Sequence, residues 1–309
     1  MANSDYQLII LGGGPAGLTA GLYAARDRLK VLLVEKGVVG GQVLVTDWID
    51  NYPGFPEGLT GSDLVEKMAA QAARFNLETK NGNVVKVELS EAAKKLILES
   101  GEELTSQALI ICTGARPNKL GIPGEEEFAG KGVSYCATCD GPFYRDQEIL
   151  VVGGGDTAVQ EADFLTKFAS KVTVIHRRDS LRATKVLQEK AFANESIEFI
   201  WNANVISIEG EKEVERVRLR DNDGTEKEIT ASGIFILIGT IPNNETLPLK
   251  QLGADKQGFI KTDEEMRTRV PGVMAAGDIR SKTVRQIING AGEGAVAAIA
   301  AEHYLSGLD

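Results

Sequence analysis

Cys136-Ala137-Thr138-Cys139 is the part of this chain with the clearest capacity for chemistry. Two cysteines two residues apart can form a redox dithiol or supply half of a tetrahedral zinc site. The only other cysteine is Cys112, inside an apolar run, and the only histidines are His176 and His303. With no second ligand pair, structural zinc is disfavoured unless it bridges two chains, and no metal is assigned. Asp140 directly follows Cys139. Beside a thiol it could exchange a proton during thiol–disulfide chemistry; on spacing alone it could equally be a helix or turn cap.

The cysteines lie between two glycine-rich turns. Leu8 to Leu11 reads as a strand, Gly12-Gly13-Gly14-Pro15-Ala16-Gly17 as a turn, Leu18 to Arg26 as a helix, and Lys30 to Val34 as a second strand ending at Glu35. This strand–turn–helix–strand order is the context a dinucleotide fingerprint requires. Gly12 permits the tight turn, Gly14 lets backbone approach a diphosphate, and Gly17 lets helix pack on strand. The helix N-terminus favours the anion, and Glu35 is placed to bind ribose hydroxyls.

The pattern recurs 141 residues later, with Ile149 to Val152 as strand, Gly153-Gly154-Gly155-Asp156-Thr157-Ala158 as turn, Val159 to Phe168 as helix and Val172 to Ile175 as strand. The position equivalent to Glu35 is now His176, followed by Arg177, Arg178 and Arg182. A carboxylate there would repel a 2′-phosphate, whereas arginine pairs with phosphate through a planar fork. The second site is therefore expected to prefer NADPH to NADH. The first is expected to hold a nucleotide with a free ribose, and FAD plus NADPH fits that pair.

These two repeats predict an α/β chain with two Rossmann-like, three-layer ββα dinucleotide-binding domains. Ala108 to Gly114 and Ile234 to Gly239 are apolar strands ending in glycine, each followed by Pro-Asn. They are read as two crossings between domains. The first domain is then discontinuous, 1–116 and 245–309, and 117–244 is the second, carrying the dithiol. Small antiparallel hairpins are expected at 84–98 and 214–229, the latter turning at Asn222-Asp223-Gly224. The Gly/Pro-rich segment from Gly37 to Gly61, with Trp48, Tyr52 and Phe55, reads as a long functional loop.

The chain's 309 residues are 43% hydrophobic and 25% charged, with a net charge of −10, as expected of a soluble globular protein. No Lys/Arg-rich block argues for nucleic acid or an anionic membrane surface, and no apolar stretch is long enough to span a bilayer. Three cysteines without a secretory signal pattern point to the cytoplasm.

Over nearly its whole length the chain resembles the low-molecular-weight, bacterial-type thioredoxin reductases. The motifs that carry this are Cys136-Ala137-Thr138-Cys139-Asp140-Gly141, Gly40-Gly41-Gln42, Asn51-Tyr52-Pro53-Gly54, His176-Arg177-Arg178-Asp179, Gly277-Asp278-Ile279 and Arg285-Gln286. The resemblance implies that Gly12, Gly14, Pro15, Ala16, Gly17, Glu35, Gly40, Gly41, Gln42, Asn51, Val84, Gly114, Asp278, Ile279, Arg285 and Gln286 hold FAD. It implies that Gly153, Gly155, Asp156, Thr157, His176, Arg177, Arg178, Arg182 and Gly239 hold NADPH. Cys139 would lie beside the flavin, Cys136 would attack the disulfide of thioredoxin, and Asp140 would be the acid/base. It further implies a homodimer and a rotation of the NADPH domain about the two crossings.

Other members of the same fold could use ferredoxin or a deazaflavin as reductant. Their acceptor could be a peroxiredoxin, a small disulfide or oxygen, or the protein could be a non-catalytic redox sensor. Two departures from the pattern stand out: Asn118-Lys119 where an arginine is common, and the glycine-rich run Asn289 to Ala295, for which the sequence alone suggests no function.

Overall fold

The computed structural model describes residues 4–46, 48–90 and 93–307; Asp47, inside the Gly37–Gly61 segment, lies outside them. By contacts the chain divides into two units, 1–116 with 241–309, and 117–240.

The first part of unit one contains β1 (Tyr6–Leu11), α1 (Pro15–Arg26), β2 (Val31–Glu35), α2 (Gly61–Ala73), β3 (Glu78–Asn81), β4 (Val84–Leu89), β5 (Lys94–Leu98) and β6 (Glu103–Ile111). Then β7 (Ala115–Pro117) leads into unit two. Unit two contains β8 (Val133–Ser134), α3 (Ala137–Asp140), β9 (Glu148–Val152), α4 (Asp156–Leu165), β10 (Lys171–Ile175), α5 (Lys185–Ala193), β11 (Ile197–Ile200), β12 (Ala203–Glu209), β13 (Arg216–Asp221), β14 (Glu226–Thr230) and β15 (Gly233–Ile236). The return runs through β16 (Thr240–Pro242), α6 (Leu249–Leu252), β17 (Val273–Ala275) and α7 (Ile287–Ser306).

In unit one the strands run in the order β3-β2-β1-β6-β5-β4, and β17 also pairs with β6. Strand β6 serves two sheets in one. Its first half, at Glu103–Ser106, is antiparallel to β5, and its second half, at Leu109–Ile111, is parallel to β17. Residues 8–11 of β1, 31–34 of β2 and 108–111 of β6 are apolar because both faces are covered, whereas the parallel edge strand β3 is polar and largely exposed. Leu8, Ile10 and Leu33 pack in the core that holds α1, α2 and α7, while Ile9, Leu11, Leu32 and Val34 pack in the core that holds β4 and β5. Each such buried side chain contributes about 1.5–3 kcal/mol.

Unit two repeats the plan. Its parallel sheet runs β11-β10-β9-β15-β8. Val151, Val174 and Phe235 share a core with α4, and Leu150, Ile175 and Ile236 share one with the antiparallel sheet β12-β13-β14. The β13–β14 turn falls at Asn222-Asp223-Gly224-Thr225, with the Thr225 amide donating to the Asp223 side chain at 2.9 Å.

The two crossing strands, β7 and β16, pair with each other. Residues 241–244, which the sequence pattern groups with the inserted unit, belong by contact to unit one. The reason is Asn243: its backbone amide donates to the Gly114 carbonyl at 3.0 Å and its side-chain amide to the Thr113 carbonyl at 2.8 Å.

Candidate active site

The first fingerprint joins β1 to α1. Gly12 has φ +108, and a Cβ there would overlap the Cys112 carbonyl; one on Gly17 would overlap the Gly12 carbonyl. Gly14 is different. It caps α1 in extended conformation, and a Cβ on it would meet no atom within 4 Å. Open space before a helix N-terminus is a cradle of the kind a diphosphate fills. Pro15 sits at the first helical position, where no amide donor is lost.

Glu35 ends β2 against this turn. One carboxylate oxygen accepts the Gly13 amide at 2.7 Å and the other the Lys36 amide at 2.8 Å. Gly40 donates to the Gly13 carbonyl at 2.7 Å, bringing the Gly40-Gly41-Gln42 loop onto the fingerprint. Asn51 and Gln286, remote in sequence, meet at 3.2 Å through their side-chain amides. Val84 is buried at the start of β4, and Gly114 has φ +69 with open space around it.

Asp278 and Ile279 follow β17. Burial raises the Asp278 carboxyl above the usual carboxylate range, against the pull of Lys282, whose Nζ is 3.3 Å away. Sequence reasoning missed what lies behind them. Glu293 on α7 accepts the Gly277 amide at 2.7 Å and pairs with Arg280 at 2.6 Å and Lys282 at 3.2 Å. Its only sequence signal is an acid inside a Gly/Ala helix. Arg285 lies over the Phe259 ring at 4.2 Å. Arg285 Nε and Thr113 Oγ1 are buried without a hydrogen-bond partner among the described residues. These orphaned atoms and the open cradle fit a bound polar cofactor such as FAD.

The glycine-rich start of α7 also gains a purpose. A Cβ on Gly294 would overlap the Ala16 carbonyl, so α7 crosses α1 at backbone contact, immediately beside the fingerprint.

In unit two, Gly155 caps α4 with open space around it, as Gly14 does for α1. Asp156 accepts the Thr184 amide at 2.6 Å, and the Arg182 amide donates to the Gly154 carbonyl at 2.7 Å. The arginine-bearing loop is thereby tied to the second fingerprint. Arg177, Arg178 and Arg182 are exposed, and so is Thr157. His176 is not exposed with them. It is buried behind Gly154, where any Cβ would overlap its ring, and stands edge-on to Trp201. Burial lowers its pKa, with the neighbouring arginines adding to the effect. Its burial sets it apart from the three exposed arginines, which carry the fixed positive charge of this loop. The His176 Nε2 is itself an orphaned buried atom beside the open cradle at Gly155, which fits a nucleotide there. Gly153 packs against Ala158 and Leu237, and Gly239 has φ +114 near Asn118.

The dithiol lies in the same unit. Cys136 and Cys139 form a disulfide with Cα atoms 5.3 Å apart, Cys136 capping α3. Ala137 between them is fully buried and anchors the turn in the core under α4. Its amide donates to Glu161 on α4 at 3.3 Å, and burial raises the Glu161 carboxyl. Asp140 accepts the Ser134 hydroxyl at 2.6 Å, and the same hydroxyl oxygen accepts the Cys136 amide at 3.1 Å. Tyr135, just before Cys136, donates to buried Glu125 at 3.0 Å. Sequence reasoning missed Ser134, Glu161 and Glu125. Cys112 is buried, and burial drives its thiol far above the ordinary range, so it takes no part in exchange.

Two nucleotide cradles, one sharing its unit with a surface disulfide, define a flavin- and pyridine-nucleotide-linked disulfide chemistry. Residues 6–294 match the family described as pyridine nucleotide-disulphide oxidoreductase, and the chain belongs to that family. Its relatives within it include thioredoxin reductases. That of Bacillus subtilis (strain 168) is 44% identical over 306 residues, covering 98% of this chain and 96% of the relative. That of Peptoclostridium litorale is 46% identical over 310 residues, covering 98% of both. The crystal structure of thioredoxin reductase from Streptococcus pyogenes MGAS5005, 45% identical, matches with a TM-score of 0.94 over 98% of both chains. The Lactococcus lactis enzyme in its FR conformation, also 45% identical, matches at 0.66 over 98% of this chain and 100% of that one.

Proposed function

We propose that this protein reduces the disulfide of thioredoxin at the expense of NADPH. The observation that carries the reading is the Cys136–Cys139 disulfide, placed at the start of α3 in the unit whose fingerprint is flanked by Arg177, Arg178 and Arg182. When bound, NADPH would supply a hydride and FAD would relay its two electrons to that disulfide. Gly12 to Gly17, Glu35, Gly40 to Gln42, Asn51, Asp278 and Arg285 would hold FAD; Gly155 to Thr157 and the three arginines would hold NADPH.

The chain's own residues do the rest. Two electrons break the Cys136–Cys139 bond and leave two sulfurs that take up two protons in becoming a dithiol. Ionised Cys136 attacks one sulfur of the partner disulfide, forming a mixed disulfide and releasing a partner thiolate. Asp140 is the acid that returns to the leaving sulfur the proton Cys136 gives up. Cys139 then loses its proton, attacks Cys136, expels the second partner sulfur, which takes up that proton, and restores the internal disulfide. Cys139 would face the flavin, so dithiol and nicotinamide would take turns there. A rotation of 117–240 about the paired crossings β7 and β16 would serve this exchange.

A homodimer is part of the reading. Ile288, Val296 and Ile299 fall on one side of α7 and are 44%, 37% and 43% exposed, an apolar stripe suited to a second copy. Dithiol turnover also fits a reducing compartment, the cytoplasm. The test is NADPH consumption with thioredoxin and a chromogenic disulfide. Cys136→Ser should abolish turnover; a variant that still reduces thioredoxin would refute the assignment.

A further inference from the structure

We propose that Ser134 is a positioning residue for the dithiol, a hydroxyl that holds Asp140 against the Cys136 backbone while Asp140 is charged and lets go when it takes a proton. The proposal rests on the reading of Asp140 as the acid, given above.

Ser134 closes β8 and is buried, 4% exposed. Its Oγ has one hydrogen and two acceptors in reach: Asp140 Oδ2 at 2.6 Å and the Cys136 carbonyl at 3.4 Å. In the disulfide form the short bond to Asp140 takes the hydrogen, as a bond to an ionised acceptor should. The oxygen meanwhile accepts the Cys136 amide at 3.1 Å. One buried hydroxyl thus ties the backbone amide of the first cysteine to the carboxylate that follows the second. Once Asp140 is protonated, the Cys136 carbonyl offers the hydroxyl an alternative acceptor without any movement of the backbone.

Asp140 sits among other titratable groups. The two sulfurs lie on its own turn. Tyr144 follows it, its phenol raised to about 12 by burial and then by the charge of Asp140. From α4, Glu161 reaches the Ala137 amide. A hydrogen bond to the charged form lowers a carboxyl pKa, so its loss must raise it. The bond to Ser134 should be worth roughly one to two pH units.

The experiment uses the FAD-loaded chain labelled with 13Cγ-aspartate, the Asp140 signal being assigned by its loss in Asp140→Asn. The Asp140 midpoint is titrated in wild type, Ser134→Ala and Ser134→Thr. The alkaline limb of thioredoxin reduction by pre-reduced enzyme is followed in parallel. Ser134→Ala should raise the midpoint and move the limb upward by roughly one to two pH units, and Ser134→Thr, which keeps the Oγ, should stay near wild type. If Ser134→Ala does not fold, the near-isosteric pair Ser134→Thr and Ser134→Val makes the same comparison. An unchanged midpoint in the variant lacking Oγ would overturn the proposal. A midpoint that moves, with a rate profile indifferent to both Ser134→Ala and Asp140→Asn, would instead overturn the acid role of Asp140 and with it any part for Ser134 in the reaction.

Discussion

Glu293 accepts the backbone amide of Gly277 at 2.7 Å while holding two nearly buried cations, Arg280 and Lys282. One carboxylate on α7 therefore fixes the strand end that presents Asp278. Removing it would take the carboxylate from Arg280 and leave Lys282 with Asp278, and breaking a buried pair of this kind typically costs about 3–5 kcal/mol. Glu293→Ala is expected to lower the thermal midpoint and to purify with less flavin per chain, whereas Glu293→Gln should keep part of the hydrogen bonding. Absorbance ratios and calorimetry check both.

Gly294 gives a second prediction from the same helix. Its Cβ would overlap the Ala16 carbonyl, and a backbone carbonyl cannot rotate out of the way. Gly294→Ala should destabilise by about 1–3 kcal/mol through forced separation of α7 from α1. Because Ala16 belongs to the fingerprint, flavin retention should fall as well. Gly292→Ala is the control, since a Cβ there meets nothing within 4 Å.

The exposed arginines of unit two predict coenzyme selectivity. With His176 buried, the proposed discrimination falls to the exposed Arg177, Arg178 and Arg182. Replacing Arg177 and Arg182 together by alanine should raise the KM for NADPH by roughly 10- to 100-fold and barely change that for NADH. Steady-state kinetics with both coenzymes decide it. Equal losses for the two would mean the arginines do not read the 2′-phosphate.

His176 predicts a pH dependence of stability. Its folded-state pKa lies below the ordinary 6.5, chiefly through burial. The unfolded chain then binds the proton more readily than the folded one. Stability from this group is fully present above about 6.5 and is lost as the pH falls through the lower folded value. Urea unfolding of unit two, followed by Trp201 fluorescence, should show the loss in wild type. His176→Asn should remove that component of the pH dependence.

Much of this was legible in the sequence because the decisive signals are local. A strand, a glycine turn and a helix follow one another within a few residues, and the steric reasons for Gly12 and Gly17 act over that span. Cys136 and Cys139 are closer still. The parts that escaped reading are long-range. Glu161 meets Ala137, Asn243 ties back to Thr113, and Gly294 lies on Ala16, all across gaps that no periodicity announces. Ser134 is close to Asp140 in sequence, yet a serine before a Cys-x-x-Cys reads as an ordinary strand end until the hydroxyl is seen between two partners. The burial of His176 is long-range in the same way. Its neighbours in sequence are arginines, whereas its neighbours in space are Gly154 and Trp201.

Unit two interrupts unit one, and this has a consequence for the order in which a ribosome can finish the molecule. Strand β17 must find β6, and α7 must find α1, only after the whole of 117–240 has been made. At roughly 5–20 residues per second, the inserted unit has time to close its own cores first. The dithiol turn can therefore be folded while the flavin cradle still lacks its last strand and helix. A nascent chain should gain redox-competent cysteines before it can hold the cofactor that feeds them.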